Sequence, residues 1–198
     1  MQLQLFNINE VKDMTDIVIV HSKLGDATNH WYDWLRNNLQ LEGYNVTLFD
    51  MADAYSKPLK AWVKAMDEQV SISKNDTYFI THGYGTLAAL KYLELQEIDP
   101  IEGVFIISGF KEDATAIDDN LSVNNEKFDY ENIKNKAQQF YGLCAKDDKY
   151  ISYKETQRLM DILNGKCKVT SYGGHFIDED GFSTFITLQE NIQKIMAK

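Results

Sequence analysis

The sequence predicts a three-layer α/β/α sandwich built on a six-stranded, parallel, doubly wound sheet. Two observations carry that expectation. Short β-branched runs alternate with longer helical patterns, as in successive βαβ units. One of the apolar runs, Thr77 to Thr81, breaks at His82-Gly83-Tyr84-Gly85 and resumes at once as a helix. The 198 residues contain 44% hydrophobic and 25% charged residues and two prolines, with no compositional shift that would mark a linker, so one domain over 1–198 is expected.

The elements follow in order. Asp16 to His21 is an apolar strand, and Asn29 to Leu41 a helix that Gly43 stops. Asn45 to Phe49 is the second strand. Pro58 stands near a helix start, where its missing N–H is harmless, and Leu59, Trp62, Val63, Met66 and Val70 form that helix's apolar stripe. Strand three, Thr77 to Thr81, leads into a helix over Tyr84 to Gln96. Gly103 to Ile107 and Gln139 to Ala145 are strands four and five, Tyr153 to Leu163 a helix, Cys167 to Tyr172 strand six and Ser183 to Met196 the last helix. Residues 112–132 are acidic and weakly periodic, too long for a plain connector, and read as a flap or a solvated excursion.

The formal charge of −10 opposes phosphate backbones and anionic lipid, so neither a nucleic acid nor a membrane partner is expected. The amino terminus lacks the basic region and apolar core of a signal peptide, which points to the cytoplasm. Cys144 and Cys167 lie in apolar runs with no CxxC pair. They read as buried small residues, and a disulfide would require neighbouring strands and an oxidising compartment. No paired ligand spacing connects His21, His30, His82 and His175, so no metal and no cofactor is expected. His21 and His82 read as braces between strand ends, and His30 as a helix-start packing residue.

Doubly wound sheets bind ligands at the carboxyl ends of their strands. The polar residues there are His21 and Ser22, Asp50, His82 and Gly83, Ser108, Asp147 and Asp148, and Gly173-Gly174-His175. An acid after strand five and a histidine after strand six can meet, the carboxylate fixing the imidazole tautomer and stabilising its cation. Turn, acid, histidine is also the chain order of the α/β-hydrolase triad, whose turn is a nucleophile elbow of pattern G-x-S-x-G. In this chain that pattern reads Thr81-His82-Gly83-Tyr84-Gly85, without the serine.

With these residues in view, the chain resembles the small single-domain serine hydrolases, the group of retinoblastoma-binding protein nine and the bacterial YdeN-type proteins. The likeness is carried by His21, the segment Ala27 to Leu35, His82 to Gly85, Ile107-Ser108-Gly109-Phe110, Lys146-Asp147-Asp148 and Gly173 to Phe176. It implies an α/β-hydrolase fold with Gly83 at the nucleophile position and His175 as general base. The acid falls at Asp148 or Asp147, with Asp148 favoured because Ile151 stands three residues on. The oxyanion donors fall at Tyr84 and in the Ser22 to Leu24 turn, Ser22 and Lys23 included. Ser22 is a second departure, since a glycine is usual after the first-strand histidine.

A residue with a side chain is strained at such an elbow, by about 1–3 kcal/mol, and glycine relieves that strain. Loss of the nucleophile removes about 10⁶ in turnover in a well-studied serine protease, so acyl-transfer activity should be weak or lost. Of the nearby hydroxyls, Ser22 could face the same crevice, whereas Thr86 lies within the helix and Ser108 at the neighbouring strand end. A water activated by His175 is another conceivable nucleophile. The rival reading is a pseudo-hydrolase, a non-catalytic binder of a small acyl, ester-like or protein ligand in a pocket lined by Trp31, Tyr84, Phe110 and Phe176. A phosphate cradle at the turn is disfavoured, because no G-x-G-x-x-G or P-loop pattern occurs.

Overall fold

A computed structural model describes residues 14–72, 76–114, 123 and 126–196. Six strands alternate with helices along the chain: β1 (Asp16–Val20), α1 (Tyr32–Leu41), β2 (Asn45–Phe49), α2 (Leu59–Gln69), β3 (Thr77–His82), α3 (Tyr84–Leu95), β4 (Gly103–Ile107), α4 (Tyr130–Lys134), β5 (Phe140–Ala145), α5 (Tyr153–Ile162), β6 (Lys166–Thr170) and α6 (Ile186–Met196). All neighbouring strands pair in parallel in the order β2-β1-β3-β4-β5-β6.

Period-two alternation splits the core into two layers. From β1, Val18 and Val20 point to one face, where they meet Trp62 and Met66 of α2, Leu87 and Leu90 of α3, and Leu159 and Met160 of α5. Ile17 and Ile19 point to the other, against Leu35 and Leu39 of α1 and Leu188 and Ile192 of α6. Both faces of the sheet are covered, which is why β3 and β4 are buried along their whole length and read as continuous apolar runs.

Beyond shifts of one or two residues at element ends, the structure departs from the expected elements at three places. Helix α1 begins at Tyr32 rather than Asn29, because His30 takes a positive φ of 56° and is held there by Asp178, whose Oδ2 accepts its N–H. The last helix begins at Ile186, after a short 3₁₀ turn at Asp178–Asp180. Within the acidic excursion, α4 forms where the Asp129 side chain caps the Asn132 N–H. The flap-or-excursion reading falls in part on residues 115–122 and 124–125, outside the described residues.

Strands β5 and β6 are neighbours, and the Cys144 and Cys167 sulfurs lie 3.8 Å apart as free thiols. Among the described residues no helix is long and apolar enough to cross a membrane.

Candidate active site

Strand β3 delivers Gly83 to the top of the sheet, between β1 and β4. Its φ of 51° and ψ of −123° lie where a side chain is disfavoured, and its N–H donates to Ile107 O at 2.9 Å. Gly85 lets α3 rise directly behind the turn, since a Cβ on it would stand 2.2 Å from the His21 carbonyl. The first N–H groups of α3, Tyr84 among them, have no intrahelical acceptor, which makes this end of the helix suited to an oxyanion.

The loops after β5 and β6 bring an acid to a histidine. Asp148 Oδ2 lies 2.8 Å from His175 Nδ1, and the two side chains are each 1% exposed. The other carboxylate oxygen, Oδ1, accepts the N–H groups of Tyr150 and Ile151 at 2.9 and 3.0 Å. Asp147 turns away and accepts the Gly174 N–H at 2.9 Å, while Asp180 accepts the His175 N–H at 2.7 Å. Asp148 is therefore the carboxylate that faces the imidazole, and Asp147 and Asp180 hold the loop that carries it. With Nδ1 donating to Asp148, Nε2 is left as the basic nitrogen. A Cβ built on Gly83 would lie 2.9 Å from that Nε2.

The first-strand loop approaches the same point. The Gly83 Cβ position lies 2.8 Å from Ser22 Oγ. Ser22 Oγ accepts the Leu24 N–H at 3.3 Å, and Ser22 as a whole is fully buried. Its own N–H was expected among the oxyanion donors. It is instead committed to Tyr32 Oη at 2.9 Å, which removes it from that set. Lys23 is 6% exposed, with Nζ 4.2 Å above the centre of the Tyr84 ring.

A buried chain of hydrogen bonds ties the two sides together. His82 Nε2 donates to the His175 carbonyl at 2.7 Å, so His82 Nδ1 accepts from the Tyr32 hydroxyl at 2.6 Å, and Tyr32 in turn accepts from Ser22 N–H. Burial first, and the charge of His175 second, hold the pKa of His82 well below the ordinary histidine value, so it is neutral, as this bonding requires. The His82 ring also packs against His175 at a tilt of 30°, with centroids 4.9 Å apart. His21 is a second neutral brace. Burial lowers its pKa against the opposing effect of the Ser22 carbonyl it bonds at 2.7 Å, and its Nε2 accepts the Met51 N–H at 3.0 Å.

Other expected residues lie elsewhere. Trp31, Tyr84, Phe110 and Phe176, expected to line a pocket, are at most 2% exposed and pack as core, with Trp31 Nε1 donating to the Phe176 carbonyl. Ser108 follows β4 with a φ of 46° and a buried hydroxyl that bonds to none of the described residues. His30 joins the first loop to the last, through Leu24 O and Asp178. Among the described residues no cluster of three or more His, Cys, Asp or Glu side chains could hold a metal ion. An open crevice of about 640 Å³ runs beside the Ser22 loop, lined by Lys23, Leu24, Asp26, Asn29, Asp53 and Tyr55 among others. A smaller apolar groove of about 200 Å³ lies on the flank of the sheet, between β4 to β6 and α6, away from these groups.

The profile of the serine hydrolase family matches residues 17–194. The chain belongs to that family. It is 23% identical over 183 residues to YdeN of Bacillus subtilis (strain 168), an alignment covering 92% of this chain and 96% of the relative. It is 26% identical over 166 residues to the serine hydrolase RBBP9 of Rattus norvegicus, covering 82% and 87%. The crystal structure of the B. subtilis YdeN product superposes with a TM-score of 0.86 over 93% of this chain and all of the other, at 23% identity, which establishes the shared α/β-hydrolase fold.

No single motif marks the Tyr32–His82–His175 chain of hydrogen bonds, and sequence reasoning did not find it. The signal available was polar residues at the ends of adjacent strands, which placed His82 there without naming its partners.

Proposed function

We propose that the corner formed by Gly83, Ser22, Asp148 and His175 is an acyl-hydrolase site for a small carboxylester or related substrate. Its turnover is weak beside that of an enzyme with a serine at the elbow. The observation that carries this reading is the buried Asp148–His175 pair, whose free Nε2 is aimed at the elbow. A pocket that only binds has no use for a carboxylate holding an imidazole in one tautomer. Tyr84 N–H, with Lys23 N–H on the facing loop, would polarise the substrate carbonyl, and His175 would take a proton from the attacking oxygen and return it to the leaving group. This chemistry calls for no metal or cofactor. The acidic chain favours a small-molecule partner in the cytoplasm over nucleic acid or an anionic membrane.

The weak turnover follows from Gly83, which offers no hydroxyl at the point of attack. That same glycine supports the second reading, a pseudo-hydrolase that binds an acyl or ester-like ligand without turning it over. Initial rates with a series of p-nitrophenyl esters separate the two. Hydrolysis above the buffer rate that disappears in His175→Ala supports the enzyme. Equal rates for the two proteins, with ester or carboxylate binding retained, support the binder.

A further inference from the structure

We infer that Ser22 is the relocated nucleophile of this site, its hydroxyl reaching from the first-strand loop to the place that the elbow leaves to it. The inference rests on the acyl-hydrolase reading and specifies its attacking atom.

Three observations lead to it. First, the Cβ position of Gly83 is a common neighbour of Ser22 Oγ at 2.8 Å and His175 Nε2 at 2.9 Å. The hydroxyl and the base thus flank one small volume, and the glycine between them keeps it clear of side-chain atoms. Second, Ser22 Oγ accepts the Leu24 N–H, which fixes the side chain and leaves its own proton to be donated. Third, the Ser22 backbone is itself fixed, its N–H held by Tyr32 and its carbonyl by His21 Nδ1, so the hydroxyl is delivered by a rigid turn. Tyr32 passes that restraint through His82 to the carbonyl of His175, the residue that must accept the Ser22 proton. Ser22 Oγ and His175 Nε2 make no hydrogen bond in this structure. Nucleophile–base contacts are commonly long before substrate binds, and tighten in the complex.

The chemistry balances without any added reactant except water. Ser22 Oγ attacks the acyl carbon of the ester while its proton passes to His175 Nε2, and the carbonyl oxygen becomes an oxyanion beside the Tyr84 N–H at the start of α3. Collapse breaks the bond from the acyl carbon to the alcohol oxygen, and the imidazolium returns its proton to that alcohol. Water then attacks the Ser22 ester, gives a proton to His175 and releases the carboxylic acid, and His175 returns the proton to Ser22 Oγ.

The test is covalent labelling of the whole chain with a fluorophosphonate, followed by intact mass measurement and peptide mapping. Stoichiometric labelling of the wild type at Ser22, lost in Ser22→Ala and slowed at least about 10²-fold in His175→Ala, is the expected result. Ser22→Ala keeps the backbone bonds to Tyr32 and His21, so its fold should be intact, which circular dichroism checks. No label on the wild type, or a label on any other residue, overturns the proposal. The exchanged variant Ser22→Gly with Gly83→Ser then shows whether the broader reading fails too. If it labels at position 83 and hydrolyses esters, the acyl-hydrolase pocket stands and only the role of Ser22 falls. If it does neither, both fall.

Discussion

The loops after β5 and β6 and the turns after β1 and β3 meet at one point of the molecule, and they are equipped very differently. On the first side the groups that hold the imidazole are engaged, and His175 Nε2 is turned to the elbow. Asp148 uses one oxygen for His175 and the other for two backbone N–H groups, and Asp147 and Asp180 brace the loop around them. The second side has a fixed backbone but an altered pair of residues: glycine at the elbow, with a serine facing it across less than 3 Å from where a Cβ would stand. The proposed hydrolase reading gives a use to that buried carboxylate and imidazole, a pair that is costly to hold inside a fold. On the proposed reading, any weakness of the site lies in the attacking group, not in the base.

The largest expected effect therefore comes from exchanging the two altered residues. Ser22→Gly with Gly83→Ser should raise kcat for an activated ester by about 10³-fold, a fraction of the roughly 10⁶ that a nucleophile contributes in a fully evolved triad. Gly83→Ser alone should fall well short of the exchange, because its Cβ would press on Ser22 Oγ at 2.8 Å and His175 Nε2 at 2.9 Å. Steady-state kinetics of the four proteins in this double-mutant cycle measures the coupling. Additive effects would remove the claim that the two positions share one space.

Breaking the intact side should cost less in rate than the exchange gains, if the starting activity is as low as proposed. Asp148→Asn should reduce His175-dependent ester hydrolysis by at least about 10²-fold, chiefly through kcat, by favouring the wrong imidazole tautomer. The same substitution at Asp147 should leave the rate within a few fold, since Asp147 braces the Gly174 N–H and not the imidazole. Comparable losses for both would contradict the assignment of roles.

The link between the sides is open to a stability measurement. Tyr32→Phe removes the hydroxyl shared by Ser22 N–H and His82 Nδ1, two buried groups, and should cost roughly 2–4 kcal/mol in denaturant unfolding at neutral pH. A loss under about 0.5 kcal/mol would mean that water replaces the hydroxyl.

The smallest effect is in pH. His82 and His21 are depressed by burial, so the unfolded chain binds protons that the folded chain refuses. Stability should be full above the ordinary histidine value, about 6.5, and should fall as pH drops through it. Replacing His82 with Gln should flatten that fall in pH-dependent unfolding, even if the variant is less stable overall.

What the sequence revealed depended on how local each feature's cause is. The inner strands were legible because they are buried on both faces, and β4, Gly103–Ile107, matches the apolar run residue for residue. Helix α3 was legible because the glycines that shape its entry stand inside the same short segment. The start of α1 was not, because the turn that delays it is held by Asp178, 148 residues away. In the site, the meeting of a β5-loop acid with the β6-loop histidine could be read from strand order alone. The removal of the Ser22 N–H from the oxyanion donors could not, because it depends on Tyr32, a helix residue with no motif of its own. The four aromatic residues misled for a related reason: hydrophobic size near a strand end does not distinguish a pocket wall from core packing, and here they pack.

The most direct test of the account is to mix the protein with p-nitrophenyl acetate, quench in acid within the first turnover and measure the intact mass and the modified peptide. One acetyl group is expected on the peptide carrying Ser22, absent from Ser22→Ala and greatly reduced in His175→Ala. Ester hydrolysis that depends on His175 yet leaves no acyl group on the protein at any time point would contradict it, and would assign the attack to water.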